Sequence, residues 1–253
     1  MSKYTAYIMI GLTRILGGVS LLLFIIFLFV GSLDLVDMHL DEREVLWLDA
    51  GLSLLFFIQH SGMVRKPFHR WLAGFIPEHY VGAIYTIVSG IVLLLVILLW
   101  QTSTQTVITP SDFFRWSLRA ISFFSLLGFY WGIKALRYFD PFGLRPIFNR
   151  LRGRNPKPMP FTVAGPYRWV RHPLYLFMIV MIWSCPDLTR DRLLFNLLWT
   201  GWIVIGSYFE EMDLIVEFGD AYREYQKKVP MLVPLSKWPK RECGIANKGH
   251  ERD

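Results

Sequence analysis

Charge, cysteine and the usual signatures of soluble enzymes are all scarce in this 253-residue chain. Only 19% of its residues are Asp, Glu, Lys or Arg, against 53% hydrophobic and 16% aromatic, which excludes a disordered segment, a collagen-like repeat and an ordinary soluble domain. Its two cysteines, Cys185 and Cys243, cannot build a disulfide framework. Neither stands in a C-x-x-C or Cys/His spacing, so no structural zinc or other metal site is expected. No G-x-G-x-x-G follows a strand-like run, and phosphate-loop, G-x-S-x-G and H-E-x-x-H patterns are missing. That removes the nucleotide-binding α/β sheet, the α/β-hydrolase and the zinc hydrolase as readings. Internal repeats and low-complexity tracts are also absent.

What the chain has is long apolar runs. A helix needs about 18 or more such residues to cross a hydrocarbon core of about 30 Å. Residues 7–30 form the first run and carry only Arg14, too long for a signal-peptide core and so read as retained. Residues 45–64 follow, interrupted by Asp49, Gln59 and His60; residues 80–100 are the clearest span; residues 113–133 contain Arg115 and Arg119. The last apolar block breaks at Cys185-Pro-Asp-Leu-Thr-Arg-Asp-Arg192 into arms at 173–184 and 193–209, a helical hairpin whose first arm reaches only about 18 Å. The expected fold is all-α, a polytopic transmembrane bundle of five to six spans with a C-terminal helical hairpin.

The formal charge of +7 orients the bundle, so a nucleic-acid partner is not expected. Three Lys/Arg stand in the link 65–79, nine in 134–172 and eight after Glu210, whereas the link around Asp34, Asp37, Asp41, Glu42 and Glu44 is acidic and 101–112 has no basic residue. Positive loops stay cytoplasmic. Six spans with both termini cytoplasmic satisfy every loop, and five do so if one short hairpin arm fails to cross. Cys185 and Cys243 then face opposite sides. Three regions are expected: 1–134 as a four-helix, substrate-side part; 135–236 as loop, hairpin and cytoplasmic helix; and 237–253 as a polar tail.

Chemistry concentrates in two segments. In Gly165-Pro-Tyr-Arg-Trp-Val-Arg-His-Pro-Leu-Tyr175, Pro173 suits the first turn of a helix and pushes His172 out of helical geometry. Arg171, His172 and Tyr175 thereby stand at the cytoplasmic mouth of a helix N-terminus, where a carboxylate or phosphate is favoured; a juxtamembrane basic cluster with an aromatic belt is the plainer alternative. The second segment, Tyr208-Phe-Glu210-Glu211-Met-Asp213, ends the last span and leads to Phe218-Gly-Asp-Ala-Tyr222-Arg-Glu-Tyr225. Adjacent carboxylates on a helix point about 100° apart, so at most one faces a given pocket squarely. They either pair with Arg168 or Arg171 or recognise a ligand. Tyr222 and Tyr225, three apart on an amphipathic helix, fit packing equally well.

Taken in order, Gly-Pro-Tyr-Arg, Arg-His-Pro-x-Tyr, Glu-Glu, Phe-Gly-x-x-Tyr-x-x-Tyr and Val-Pro over residues 165–234 resemble the C-terminal signature of the isoprenylcysteine carboxyl methyltransferase-like superfamily of integral membrane methyltransferases. Upstream, Phe57-Ile-Gln-His-Ser61 and Phe139-Asp-Pro-Phe-Gly-Leu-Arg145 are similar to segments of its methanethiol S-methyltransferases. The resemblance implies S-adenosylmethionine as cofactor, held in a cytoplasmic pocket beneath the hairpin by Tyr167, Arg168, Arg171, His172, Tyr175, Glu210 and Glu211. It also implies a small thiol as acceptor, with membrane lipids as surroundings. The oligomeric state stays open.

Methyl transfer from a sulfonium is an in-line displacement that needs alignment, exclusion of water and an ionised thiol. A thiol with a reference pKa of about 8.5 is mostly protonated at neutral pH, so a base beside it helps. His60 is the first candidate base, and a hydrogen-bonded structural histidine is the alternative. Asp140 and Arg145 flank a turn that closes over the site, or cap it locally. Asp49, about 16 Å outward of His60, is expected to pair with Arg115 or Arg119. The same residues are compatible with a prenylcysteine carboxylate or phospholipid amine as acceptor, with an NADPH-dependent reductase, and with a transporter or sensor.

Overall fold

A computed structural model of the chain describes residues 3–136, 139–155 and 160–234. The tail from Lys237 onward, with Cys243, and Pro156 and Pro158 of the basic link lie outside the described residues. The elements in chain order are α1 (Lys3–Val30), α2 (Glu42–Val64), α3 (Lys66–Ala73), α4 (Val81–Leu99), β1 (Thr106–Ile108), α5 (Asp112–Ala135), α6 (Arg145–Leu151), α7 (Pro173–Trp183), β2 (Leu188–Thr189), α8 (Arg190–Phe218) and α9 (Asp220–Lys228). The fold is all-α apart from one short antiparallel β1–β2 pair, which ties the 101–112 loop to the hairpin turn. Four helices are long and apolar enough to cross a membrane: α1, α2, α4 with its leading 3-10 turn Glu78–Tyr80, and α8.

Local chemistry sets the helix ends. Asp41 opens α2 with a capping box, its Oδ1 accepting from the N–H of Arg43 and Glu44 while Glu44 accepts from the N–H of Asp41. Gly219 (φ 56°) ends α8 in a conformation unfavourable to side chains, so α9 sets off in a new direction. Helix α8 runs nine residues past the expected 209, because the acidic turn that closes the apolar run is still helical.

Bilayer-facing side chains such as Ile15, Leu22, Ile58 and Ile205 are exposed, and the helices meet through small residues and aromatic rings. Lipid tails are as apolar as leucine, so association rests on close packing rather than water exclusion. Gly128 and Gly132, one turn apart on α5, lie so close to Phe177 and Leu174 of α7 that an added Cβ falls within 2.5 Å and 2.6 Å of them. At the centre, Phe24, Phe27, Phe56, Phe57, Phe195 and Trp199 form a continuous aromatic core, with centroid separations of 4.8 Å for Phe195–Trp199 and 5.2 Å for Phe27–Phe195. Each such pair is worth about 0.5–1.5 kcal/mol beyond its burial.

The end of the bundle that carries the hairpin turn departs from the expected ion pairing. Asp49 is fully buried and accepts the backbone N–H of Gln101 at 3.1 Å, whereas Arg115 forms a bidentate pair with Asp187 of the hairpin turn and Arg119 lies over the Phe29 ring. Asp49 stands beside the end of α4, so a backbone donor reached it before a long side chain did. Asp191 accepts from Trp100 Nε1 and from the N–H of Ser103, both at 3.0 Å. Buried Arg192 donates to the carbonyls of Phe27 and Leu28, serving the last turn of α1. Cys185 is buried with a free thiol.

Candidate active site

The site is assembled where the Arg-His-Pro turn meets the C-terminal part of α8. Pro173 occupies the first turn of α7, and His172 precedes it with φ −121°. The backbone N–H groups of Arg171 and His172 donate to Pro230 and Met231 at 2.9 and 3.0 Å, so the segment after α9 fastens the turn from below. Upstream, Gly165 adopts φ 56° and its missing side chain lets the Gly-Pro-Tyr-Arg turn lie on α5. A Cβ there would stand 2.9 Å from that of Ala135. This close approach needs glycine on both counts.

Glu211 is the hub. It accepts from Arg171 Nε at 2.5 Å and Nη2 at 2.9 Å, from Gln226 Nε2 at 2.9 Å and from the Tyr222 hydroxyl at 3.4 Å, and its Oε1 lies 3.2 Å from His172 Nε2. Arg171 also donates through Nη1 to the carbonyls of Gln226 and Val229. Four of its five N–H donors are thereby committed. Arg171 and Glu211 are both nearly buried, so the pair persists because every charge has a partner. Tyr225 completes the frame by donating to the carbonyl of Tyr167 at 2.5 Å. Burial pushes the phenols of Tyr167, Tyr222 and Tyr225 above their ordinary range, and neighbouring charges add to it: Glu210 for Tyr167 and Glu211 for Tyr222. All three therefore stay neutral donors.

Glu210, one residue earlier, turns the other way. Its carboxylate lines a cavity of about 550 Å³, and its Oε2 has no hydrogen-bond partner among the described residues; His172 Nδ1 is 3.7 Å away. Tyr167, Arg171, His172 and Tyr175 line the same cavity, with the His172 and Tyr175 rings nearly parallel at 5.5 Å. The polar mouth is walled by Phe161, Phe218, Tyr222 and Tyr225, and the inner end by Phe24 of α1, Phe56 of α2, Met178 of α7 and Trp199 and Trp202 of α8. The volume lies within the roughly 300–1,000 Å³ of small-molecule sites.

Other expected site residues stand elsewhere. Arg168 is exposed and outside the cavity lining, and Glu211 lies behind Arg171. His60 is one aromatic layer away: its ring packs on Phe56 at 5.0 Å and edge-on to Trp202 at 5.4 Å, and its nitrogens face the Tyr85 hydroxyl. Asp140 accepts the backbone N–H of Leu144 and Arg145, capping the turn into α6, with Arg145 at the first position of that helix. The neighbouring Phe139 lines the cavity. Sequence reasoning missed Gln226 and the aromatic inner wall. The i, i+3 spacing of Tyr222 and Tyr225 was visible, whereas nothing local distinguishes Phe56 or Trp199 from a lipid-facing residue.

No family model and no solved structure matches the chain. Among curated proteins it is 39% identical over 194 residues to a methanethiol S-methyltransferase of Pseudomonas sp. (strain GM41(2012)), covering 74% of this chain and 72% of that protein. It is 37% identical over 191 residues to methanethiol S-methyltransferase 2 of Bradyrhizobium diazoefficiens, covering 76% and 74%. It is 33% identical over 196 residues to the methanethiol S-methyltransferase of Mycobacterium tuberculosis, covering 74% and 76%. A likeness of this extent, running through a membrane bundle with a large polar-mouthed cavity at the Arg-His-Pro turn, makes the chain a member of the methanethiol S-methyltransferase family.

Proposed function

We propose that the protein is an S-adenosylmethionine-dependent methyltransferase that converts a small thiol, methanethiol, to its methyl thioether, dimethyl sulfide, in a membrane-embedded site. The observation that carries this reading, beside the family, is Glu210 Oε2: a buried carboxylate oxygen with no hydrogen-bond partner among the described residues, at the polar mouth of an otherwise apolar cavity. Such an atom is costly to leave unsatisfied, and a ligand with an amine or hydroxyl relieves it.

The residues fit the cofactor's chemistry. Glu210 suits the amine or ribose hydroxyls, the Arg171 guanidinium and the His172 ring suit the methionine carboxylate, and Phe161, Phe218 and Tyr222 offer an aromatic wall to the adenine. Bound there, S-adenosylmethionine supplies an electrophilic methyl on a sulfonium: the acceptor sulfur gains the S–C bond, the sulfonium C–S bond breaks with its electrons returning to that sulfur, and the thiol proton is released. The chain's own part is to orient, desolvate and take up that proton. Glu211 acts as a positioning residue that holds Arg171, and His60, which lies behind the Phe56 and Trp202 rings with its nitrogens on the Tyr85 hydroxyl, is the proposed base.

The proposed topology has the cavity mouth and both termini in the cytoplasm. In it α5 and α7 add to the four long apolar helices for six crossings, with α7, only about 16 Å long, crossing where the membrane is thinned. The test is binding of labelled S-adenosylmethionine to purified protein in detergent, together with thiol-dependent release of dimethyl sulfide into the headspace. Folded protein that binds no cofactor removes the reading. NADPH oxidation in the same preparation would replace it with a reductase.

A further inference from the structure

The cavity has two chemically different ends, and the inner one carries an inference of its own, which rests on the methyltransferase reading. Along α8, Trp202 and Trp199 stand eight and eleven residues before Glu210, about 12 and 16 Å up the helix. Both indoles line the cavity, yet both turn their N–H away from it into α2: Trp202 Nε1 donates to Ser61 at 2.9 Å and Trp199 Nε1 to Ser53 at 3.2 Å. The rings are also clamped from the sides. Phe57 stacks on Trp202 at 4.7 Å and 11°, and Phe56 stacks on Trp199 at 5.1 Å and 14°.

A tryptophan held by its hydrogen bond and by a stacked neighbour cannot swing aside, so the wall it makes has a fixed place. With the donors consumed by the serines, this end offers an acceptor only ring faces and hydrocarbon. A thiol bearing a carboxylate, amine or amide would bury polar groups there with nothing to satisfy them. A longer alkyl chain would meet a wall that does not yield.

We infer that Trp202, fixed by Ser61 and Phe57, is the residue that limits the acceptor to short, uncharged, apolar thiols. Trp202 is chosen over Trp199 because it is only half-buried, whereas Trp199 is almost fully enclosed and belongs to the aromatic core.

The experiment compares methanethiol, 1-propanethiol, 1-butanethiol and cysteine as acceptors, with purified wild-type protein and the Trp202→Ala, Trp202→Phe and Ser61→Ala variants. Labelled S-adenosylmethionine binding reports on the fold of each. The wild type should methylate methanethiol best and cysteine not at all. Trp202→Ala should raise the kcat/KM ratio of butanethiol to methanethiol by about tenfold or more, the scale of one or two methylenes in an apolar pocket. Ser61→Ala, which frees the indole and keeps its volume, should raise the ratio in the same direction by less. If Trp202→Ala does not fold, Trp202→Phe and Ser61→Ala carry the test. A ratio within twofold of wild type in the cofactor-binding variants overturns the inference while leaving the methyltransferase reading standing, as does efficient methylation of cysteine by the wild type. Wild-type protein that methylates no thiol removes the reading, and this inference with it.

Discussion

Glu211 grips Arg171 through both Nε and Nη2, at 2.5 and 2.9 Å, and so leaves its neighbour Glu210 as the carboxylate that faces the cavity. Two adjacent acids on one helix thereby divide the work: one is tied into the frame, and the other is presented to the cavity. The division follows from the turn of about 100° between successive helical residues.

That division separates the two glutamates experimentally. Glu211→Gln strips the charge partner from a buried guanidinium and should lower stability by about 3 kcal/mol or more, the cost of breaking a buried pair. Glu210 Oε2 has no hydrogen-bond partner among the described residues, so Glu210→Gln should leave the unfolding temperature nearly unchanged and weaken S-adenosylmethionine binding by about tenfold, the scale of a charge-assisted hydrogen bond. Thermal unfolding in detergent and labelled-cofactor binding measure both. The same loss of stability in both variants would contradict the assignment.

Gly165→Ala should cost about 1 kcal/mol or more, because alanine disfavours φ 56° and its Cβ would collide with Ala135. The displaced turn carries Tyr167, so cofactor affinity should fall with stability. Gly153→Ala is the control: its φ is 62°, but nothing lies within 4 Å of the added Cβ. It should lose stability through backbone strain alone, with cofactor affinity unchanged.

Arg192→Met should destabilise the bundle from its outer end. The Leu28 and Ile182 carbonyls lose a donor, while the Phe27 carbonyl keeps the N–H of Gly31. The guanidinium also lies 5.4 and 5.0 Å from the centroids of the Phe27 and Phe195 rings. Each orphaned buried carbonyl costs about 1–3 kcal/mol, visible as a lower unfolding temperature. Cofactor binding at the opposite end should be retained.

His60→Ala should lower kcat by about a hundredfold with S-adenosylmethionine affinity within twofold of wild type, the scale of losing a positioned base. Tyr85→Phe, which removes the hydroxyl that faces the His60 ring, should shift the pH profile of kcat and leave cofactor affinity alone. If neither variant alters kcat, His60 is a packing residue behind Phe56 and Trp202.

The helices were legible because an apolar run of bilayer length has few other uses, and residues 80–100 and 173–184 match α4 and α7 to within a residue or so. The site's neighbourhood was legible too, through the ordered pattern from Gly165 to Pro234 and the helix-starting role of Pro173. The partner of Asp49 was not. A buried carboxylate takes whichever donor its neighbours bring, and here that was the N–H of Gln101 rather than an arginine.

By itself, then, the sequence determined a membrane bundle, its apolar segments and the segments that gather polar groups at one end, since hydropathy and proline position act along the chain. Tertiary structure alone decided which glutamate is spent on Arg171, how His60 stands relative to the cavity, and which aromatic residues wall it. The reason is that lipid-facing, core-facing and cavity-facing positions in a membrane protein all favour apolar side chains, so only the packing of one helix against another tells them apart.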